Sequence, residues 1–370
     1  MGAIGLAAVL IARAAPAARA QTDGPAFAEI VPDAAFPTNL AVAPDGRIFF
    51  AEKDSGRIRI VEPSGELRPR PFAVLPVDAT ASEMGLLGLA LHPDFDREPW
   101  VYAYYSGIDG RNHLARIRAD GDTGDAPQEL LSLLPTENGW HNGGDLAFGA
   151  DGTLYVAVGE GHVPERAQDP ASLGGKILRI DDDGSAPDDN PFEGSPVYAL
   201  GIRNSFGLCV APDGALWETE NGPTEWDELN RIEAGANYGW PEQLGPGARD
   251  GRARDGFVPP ILAWREEIVP TGCSVDRDGS LYVGDFRGDL HRIAFPDGSA
   301  PTDTVVASFD AGITDVELTS RGRLLVATAN AILVRTGTAS SSPAPTPAGV
   351  VVLLVLIGLL LLARRRLDRR

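Results

Sequence analysis

The chain has 370 residues, with 52 acidic against 32 basic and a formal charge of −20. A surface this acidic repels phosphate backbones, so nucleic acid is excluded as a partner. Glycine (43) and proline (30) are abundant, and no long amphipathic helical pattern appears, which points to an all-β chain rich in turns.

Residues 2–12 are apolar, and Ala18-Arg19-Ala20 forms an Ala-x-Ala cleavage pattern before Gln21. Residues 1–20 therefore read as a secretory signal peptide, with a disordered alanine-rich tail as the alternative.

Between residues 21 and 338 one short phrase returns six times: an apolar strand, a turn built on Asp-Gly or its equivalent, and a second strand. The copies begin at Leu40, Leu89, Leu146, Leu208, Cys273 and Val316, and typical turns are Pro44-Asp45-Gly46 and Pro212-Asp213-Gly214. A unit of roughly 45–65 residues with two to four short strands is the signature of a propeller blade, so the predicted fold is an all-β, six-bladed β-propeller. Each blade is too small to fold alone.

In such a fold the residues just before each inner strand crowd around the axis. Here they are Asn39, Gly88, Asp145, Gly207, Gly272 and Asp315, all small or polar. They are expected to keep the mouth open and line it. Just upstream stand Thr38, Glu83, His141, Arg203 with Asn204, Thr271 and Thr314, which would converge from six blades. A polyhydroxylated or anionic small molecule suits such a set. The alternative is that these groups cap strands and bond one another across the axis.

His141 lies in Trp140-His141-Asn142-Gly143-Gly144, where glycines allow close backbone approach. Imidazole is the usual general base near neutral pH; a core histidine satisfied by a carbonyl is the other reading. Glu160 ends the next strand of the same blade, placed either to orient His141 or to cap the loop. The stretch Glu220 to Glu228 mixes carboxylates with Gly222-Pro223, oxygen ligands that suit Ca²⁺; a solvated acidic loop is the alternative.

Two cysteines, Cys209 and Cys273, fall one position apart when the repeats are aligned. Neighbouring strand positions face opposite ways, so two buried free thiols are expected rather than a disulfide. At the C-terminus, residues 339–347 form a Ser/Pro/Thr linker. Residues 348–363 form an apolar segment slightly short for a span, and residues 364–370 a basic tail that places this end in the cytoplasm. A C-terminal sorting tag has the same layout. Either reading puts the propeller outside the cell.

Four pieces resemble the soluble quinoprotein glucose/sorbosone dehydrogenases, most closely their aldose sugar dehydrogenase branch. They are Gly85-Leu86-Leu87-Gly88-Leu89-Ala90-Leu91-His92-Pro93-Asp94-Phe95, His141-Asn142-Gly143-Gly144, Gly201-Ile202-Arg203-Asn204-Ser205-Phe206-Gly207-Leu208, and Glu220-Asn221-Gly222-Pro223 running on to Asn237-Tyr238-Gly239-Trp240-Pro241. The resemblance implies a propeller that binds pyrroloquinoline quinone (PQQ) and Ca²⁺ and oxidises an aldose sugar at C1 to the lactone. It makes His141 the base for the C1 hydroxyl proton, Glu160 its supporting acid, and Arg203 and Asn204 holders of the quinone. Glu83, Arg287 and Thr314 fall at further cofactor positions. The carbonyls of Gly222 and Pro223 would hold one Ca²⁺; Glu228 and the Tyr238 carbonyl match a second. The chain departs from the family pattern at four places. Glu83 replaces a glutamine, Asp145 an arginine, Gly312-Ile313-Thr314-Asp315 an Arg-x-Arg-Asp, and Phe286 a lysine, with Arg287 next to it. Two other readings follow from those departures: a surface propeller that binds carbohydrate or protein without redox chemistry, and a lactonase-type hydrolase. Arrival of Arg203, Arg265 and Arg287 together at the channel separates the first reading from the second.

Overall fold

The computed structural model describes residues 25–133, 138–248 and 255–338. The predicted signal peptide, linker, apolar segment and basic tail lie outside them. Residues 25–337 form one unit. Six antiparallel sheets, each with a path of four strands, succeed one another along the chain. Their inner strands are Pro37–Val42, Leu86–Leu91, Gly143–Phe148, Ser205–Val210, Pro270–Val275 and Ile313–Leu318. We number the sheets blades 1 to 6 in that order. Every predicted repeat begins inside one of these strands. The sixth sheet takes its outer strand from the other end of the chain: Pro25–Val31 pairs with Ala331–Thr338. That pairing closes the ring without a covalent bond.

Strand alternation explains why the inner strands are apolar on both faces. Ala41 belongs to the core shared by blades 1 and 2, and its neighbour Leu40 to the core shared by blades 6 and 1. Each of the six blade interfaces has one such cluster.

Three of the axial residues act as interblade clasps. Asn39 Oδ1 accepts the N–H of Leu89 at 2.9 Å. Asp145 Oδ2 accepts that of Leu208 at 2.6 Å, and Asp315 Oδ2 that of Leu40 at 2.7 Å. The glycines between them face backbone: a Cβ on Gly88 would lie 2.0 Å from Gly144 O, and one on Gly207 2.3 Å from Thr271 O. These positions are thus small because blades touch there, which corrects the expectation that they hold the mouth open. The threonines do the same work. Thr38, Thr271 and Thr314 donate to Leu86 O, Ile313 O and Pro37 O at 2.8, 3.0 and 2.6 Å.

One further bond recurs in every blade. The residue at or just past the end of the second strand donates its N–H to the residue before the inner strand. The pairs are Lys53 to Phe36, Ser106 to Gly85, Gly159 to Asn142, Asn221 to Asn204, Phe286 to Val269 and Ala329 to Gly312. These six positions mark one level at the end where the inner strands begin.

Cys209 and Cys273 form a disulfide, against the expectation of free thiols. The one-residue offset is the cause. Leu208 faces blade 3, so Cys209 faces blade 5, whose Cys273 faces back into the same core. Opposite strand faces meet when blades stack.

Two predictions follow from these contacts. Converting Cys209 and Cys273 to serine opens a loop with a sequence separation of 64 and should lower stability by about 2–4 kcal/mol, read from the urea midpoint. His291 lies with Nδ1 2.9 Å from Asp303 Oδ1 and Nε2 3.2 Å from Asp285 Oδ2. Burial opposes its charge, but the two carboxylates outweigh burial and raise it to about 9. The folded value exceeds the unfolded one, so this stabilisation is complete below about pH 6.5 and lost as pH rises through about 9. The melting-temperature gap between wild type and His291→Gln should close across that window.

Candidate active site

His141 carries φ of +57°, a left-handed conformation uncommon outside glycine. It is held there from both sides. Its N–H donates to Glu83 Oε2 at 2.6 Å, and its carbonyl accepts Gly161 N–H at 3.0 Å. Gly159 must lack a side chain, because a Cβ would sit 2.1 Å from His141 O. The imidazole is 7% exposed, and its Nδ1 lies 2.7 Å from Glu160 Oε1. A carboxylate only accepts, so Nδ1 carries a proton, and in the neutral imidazole Nε2 is the nitrogen that holds the lone pair. Glu160 is fully buried, and its Oε2 has no hydrogen-bond partner among the described residues.

Asn142 ties the elements together. Its Nδ2 donates to Glu83 O and Gly139 O, its Oδ1 accepts from Asn112, and its carbonyl accepts from Tyr104 Oη. Asn204 bridges the next gap, with Nδ2 3.2 Å from Glu83 Oε2 and Oδ1 accepting Gly143 N–H at 3.2 Å. Burial raises the Glu83 carboxyl above its ordinary range, against the lowering pull of its bonds to His141 and Asn204.

Arg203 completes the group. Its carbonyl accepts Glu160 N–H at 2.9 Å, and its own N–H donates to Glu220. Its Nη1 donates to Asn221 O at 2.7 Å and Gly222 O at 3.1 Å, while its buried Nε has no acceptor among the described residues. The guanidinium lies 5.4 Å from the Trp240 ring centroid. Burial lowers its proton affinity, against the pull of Glu160, Glu220 and Glu83.

Predicted residues Glu83, His141, Glu160, Arg203 and Asn204 therefore form one bonded network drawn from blades 2, 3 and 4. Thr314 spends its hydroxyl on Pro37 O instead. Arg287 is exposed, and Arg265 is 78% exposed beside Glu225. Gly222, Glu228 and Tyr238 line one cavity of about 10 Å³ together with Arg203 and Glu220. Asn230 Nδ2 lies 3.0 Å from Glu218, 3.5 Å from Glu220 and 3.2 Å from Glu228. Glu218 Oε1 and Asn230 Oδ1 are buried with no donor among the described residues. Burial pushes Glu228 up to about 7 and Glu218 to about 8. Pro223 is not among the residues lining that cavity. Among the described residues, no group of three or more His, Cys, Asp or Glu is arranged to hold a metal ion.

Sequence reasoning missed Lys176. Its ammonium is buried and donates to Arg166 O, Ala167 O and Gly174 O at 2.6, 3.0 and 2.8 Å, binding the loop that leaves Glu160. A lysine in a chain with only one other is the available signal.

A buried imidazole–carboxylate pair beside a guanidinium can accept a proton from a bound ligand and hold the charge that results. The glucose/sorbosone dehydrogenase family model matches residues 34–334, and the chain belongs to that family. Quinoprotein glucose dehydrogenase B of Acinetobacter calcoaceticus is 34% identical over 245 residues, 56% of this chain and 51% of its own. The aldose sugar dehydrogenase of Escherichia coli is 29% identical over 324 residues, covering 81% of this chain and 84% of its own. The PQQ-bound aldose sugar dehydrogenase of Streptomyces coelicolor superposes with a TM-score of 0.75 at 31% identity, over 85% of this chain and 99% of that one.

Replacing Lys176 by methionine leaves three carbonyls without their donor. Stability should fall by about 2–4 kcal/mol, and limited proteolysis should cut within residues 161–175 before the blades unfold.

Proposed function

We propose that this protein is an exported, PQQ- and Ca²⁺-dependent dehydrogenase that oxidises aldose sugars at C1 to lactones. The observation that carries the reading is the His141–Glu160 pair, buried beside Arg203 and Asn204. The residues present fit the quinone in their donor set. Among the described residues Arg203 Nε is a buried donor lacking an acceptor, as an anionic ligand or quinone oxygen would require. When bound, PQQ supplies the two-electron acceptor.

The chain's own contribution is proton handling and electrostatics. His141 Nε2 takes the C1 hydroxyl proton, and Glu160 stabilises the resulting imidazolium through Nδ1. Arg203 and Asn204 hold and polarise the cofactor from one side. Gly222 and Pro223 carbonyls would hold the Ca²⁺ that polarises it further; taking Gly222 O requires Arg203 Nη1 to release that carbonyl. Glu228 and the Tyr238 carbonyl would hold a second Ca²⁺. The Cys209–Cys273 disulfide supports export, since disulfides persist in oxidising compartments. Residues 1–20 act as the signal, and residues 348–363 hold the propeller at the membrane.

One observation favours a second reading, a carbohydrate- or protein-binding propeller without redox chemistry. Of Arg203, Arg265 and Arg287, only Arg203 joins the bonded network.

Titrating the full-length protein with PQQ and Ca²⁺, following quinone absorbance, decides between them. An aldose panel with a dye acceptor then reads turnover. Saturable binding and sugar-dependent dye reduction are expected; no binding at micromolar PQQ would leave the second reading. His141→Ala should lower kcat by at least about 100-fold while PQQ binding is largely kept. Unchanged turnover would remove His141 from the chemistry.

A further inference from the structure

We propose that Lys53 is a binding residue of this site, supplying from blade 1 a cation that contacts the carboxylates of bound PQQ. The inference rests on the functional reading above and adds a residue to it.

The repeated bond at the mouth provides the placement. Lys53 donates its N–H to Phe36 just as Asn221 does to Asn204 and Gly159 to Asn142. In blades 3 and 4 that position directly precedes Glu160 and Gly222, both at the site. Lys53 therefore stands at the same level of the ring, in blade 1.

Charge supplies the need. Glu83, Glu160 and Glu220 surround a single guanidinium whose Nη1 is already shared between two carbonyls. A tri-anionic ligand requires more positive charge than that. At the equivalent positions blades 5 and 6 bring none of it: Phe286 and Ala329 stand there, Arg287 after Phe286 is exposed, and Thr314 is turned to Pro37 O. Blade 1 is the next blade round, joined to blade 6 by the Asp315 clasp.

Chemistry supplies the means. The Lys53 side chain is 9% exposed, with its ammonium 5.3 Å from the Phe36 ring centroid. Phe36 faces Phe286 at 6.3 Å, so the cation rests in an aromatic wall that reaches blade 5. Its carboxylate partner is Asp54 at 2.7 Å, and Asp54 is 65% exposed. An exposed counterion binds weakly and is readily exchanged, whereas the sequestered ammonium stays in place. A ligand carboxylate can replace Asp54 without moving Lys53.

The test measures PQQ affinity of the full-length protein by quinone absorbance, with Ca²⁺ present, at low and high salt. Lys53→Met keeps the buried stem and should weaken binding about tenfold and flatten its salt dependence. Lys53→Arg should stay near wild type. Asp54→Asn should tighten binding about threefold. Equal affinity in wild type, Lys53→Met and Asp54→Asn overturns the proposal while the dehydrogenase reading stands. If Lys53→Met does not fold, Asp54→Asn decides, and an unchanged affinity there overturns it. Absence of PQQ binding in the wild type overturns both.

Discussion

Ring closure is the constraint on which everything else depends. A single blade buries neither of its faces, and each of the six cores is shared between two blades. The pairing of Pro25–Val31 with Ala331–Thr338 completes the last sheet from both ends of the described propeller. At the axis, Asn39, Asp145 and Asp315 clasp the main chain of other blades. Those clasps bury charge: Asp145 is pushed up to about 6, chiefly by burial, and Asp315 well above its usual range. Such burial is tolerated because each carboxyl accepts two backbone N–H groups.

The site inherits its precision from that ring. Glu83 comes from blade 2, His141 and Glu160 from blade 3, and Arg203 and Asn204 from blade 4. No two of these blades hold the network alone. Asn142 and Glu83 join blade 2 to blade 3, while Glu160 N–H to Arg203 O joins blade 3 to blade 4. The left-handed His141 is a local strain at the candidate site, kept by bonds on its N–H, its carbonyl and its ring. Burial of His141, Asn142, Glu160 and Asn204 away from water strengthens those bonds.

The repeats exposed the architecture because strand alternation and Asp-Gly turns are local signals. The same locality explains where the reading failed. Cys209 and Cys273 were separated by a one-residue offset that is meaningful within one sheet and reversed between stacked sheets. Gly88 and Gly207 looked like an open mouth, but the backbone that fills the space comes from the next blade. Thr314 looked like a ligand and is a clasp. Lys176 carries no local signal beyond its rarity and organises the loop after Glu160.

The sequence by itself determined the strand periodicity and the number of blades, and it singled out His141 and Glu160 as candidates, since each depends on residue types at fixed short spacings. Family membership was legible for the same reason, in four motifs each no longer than a strand and a turn. Only the tertiary structure decided which side chains meet across blades. Contacts such as Glu83 with His141, 58 residues apart, or Asn204 with Glu83, 121 apart, depend on stacking that no local pattern encodes. Charge balance at the mouth belongs to the same class. It is a sum over blades, and it becomes defined only when the ring brings Arg203 inward, leaves Arg265 in solvent and buries Lys53 in the wall.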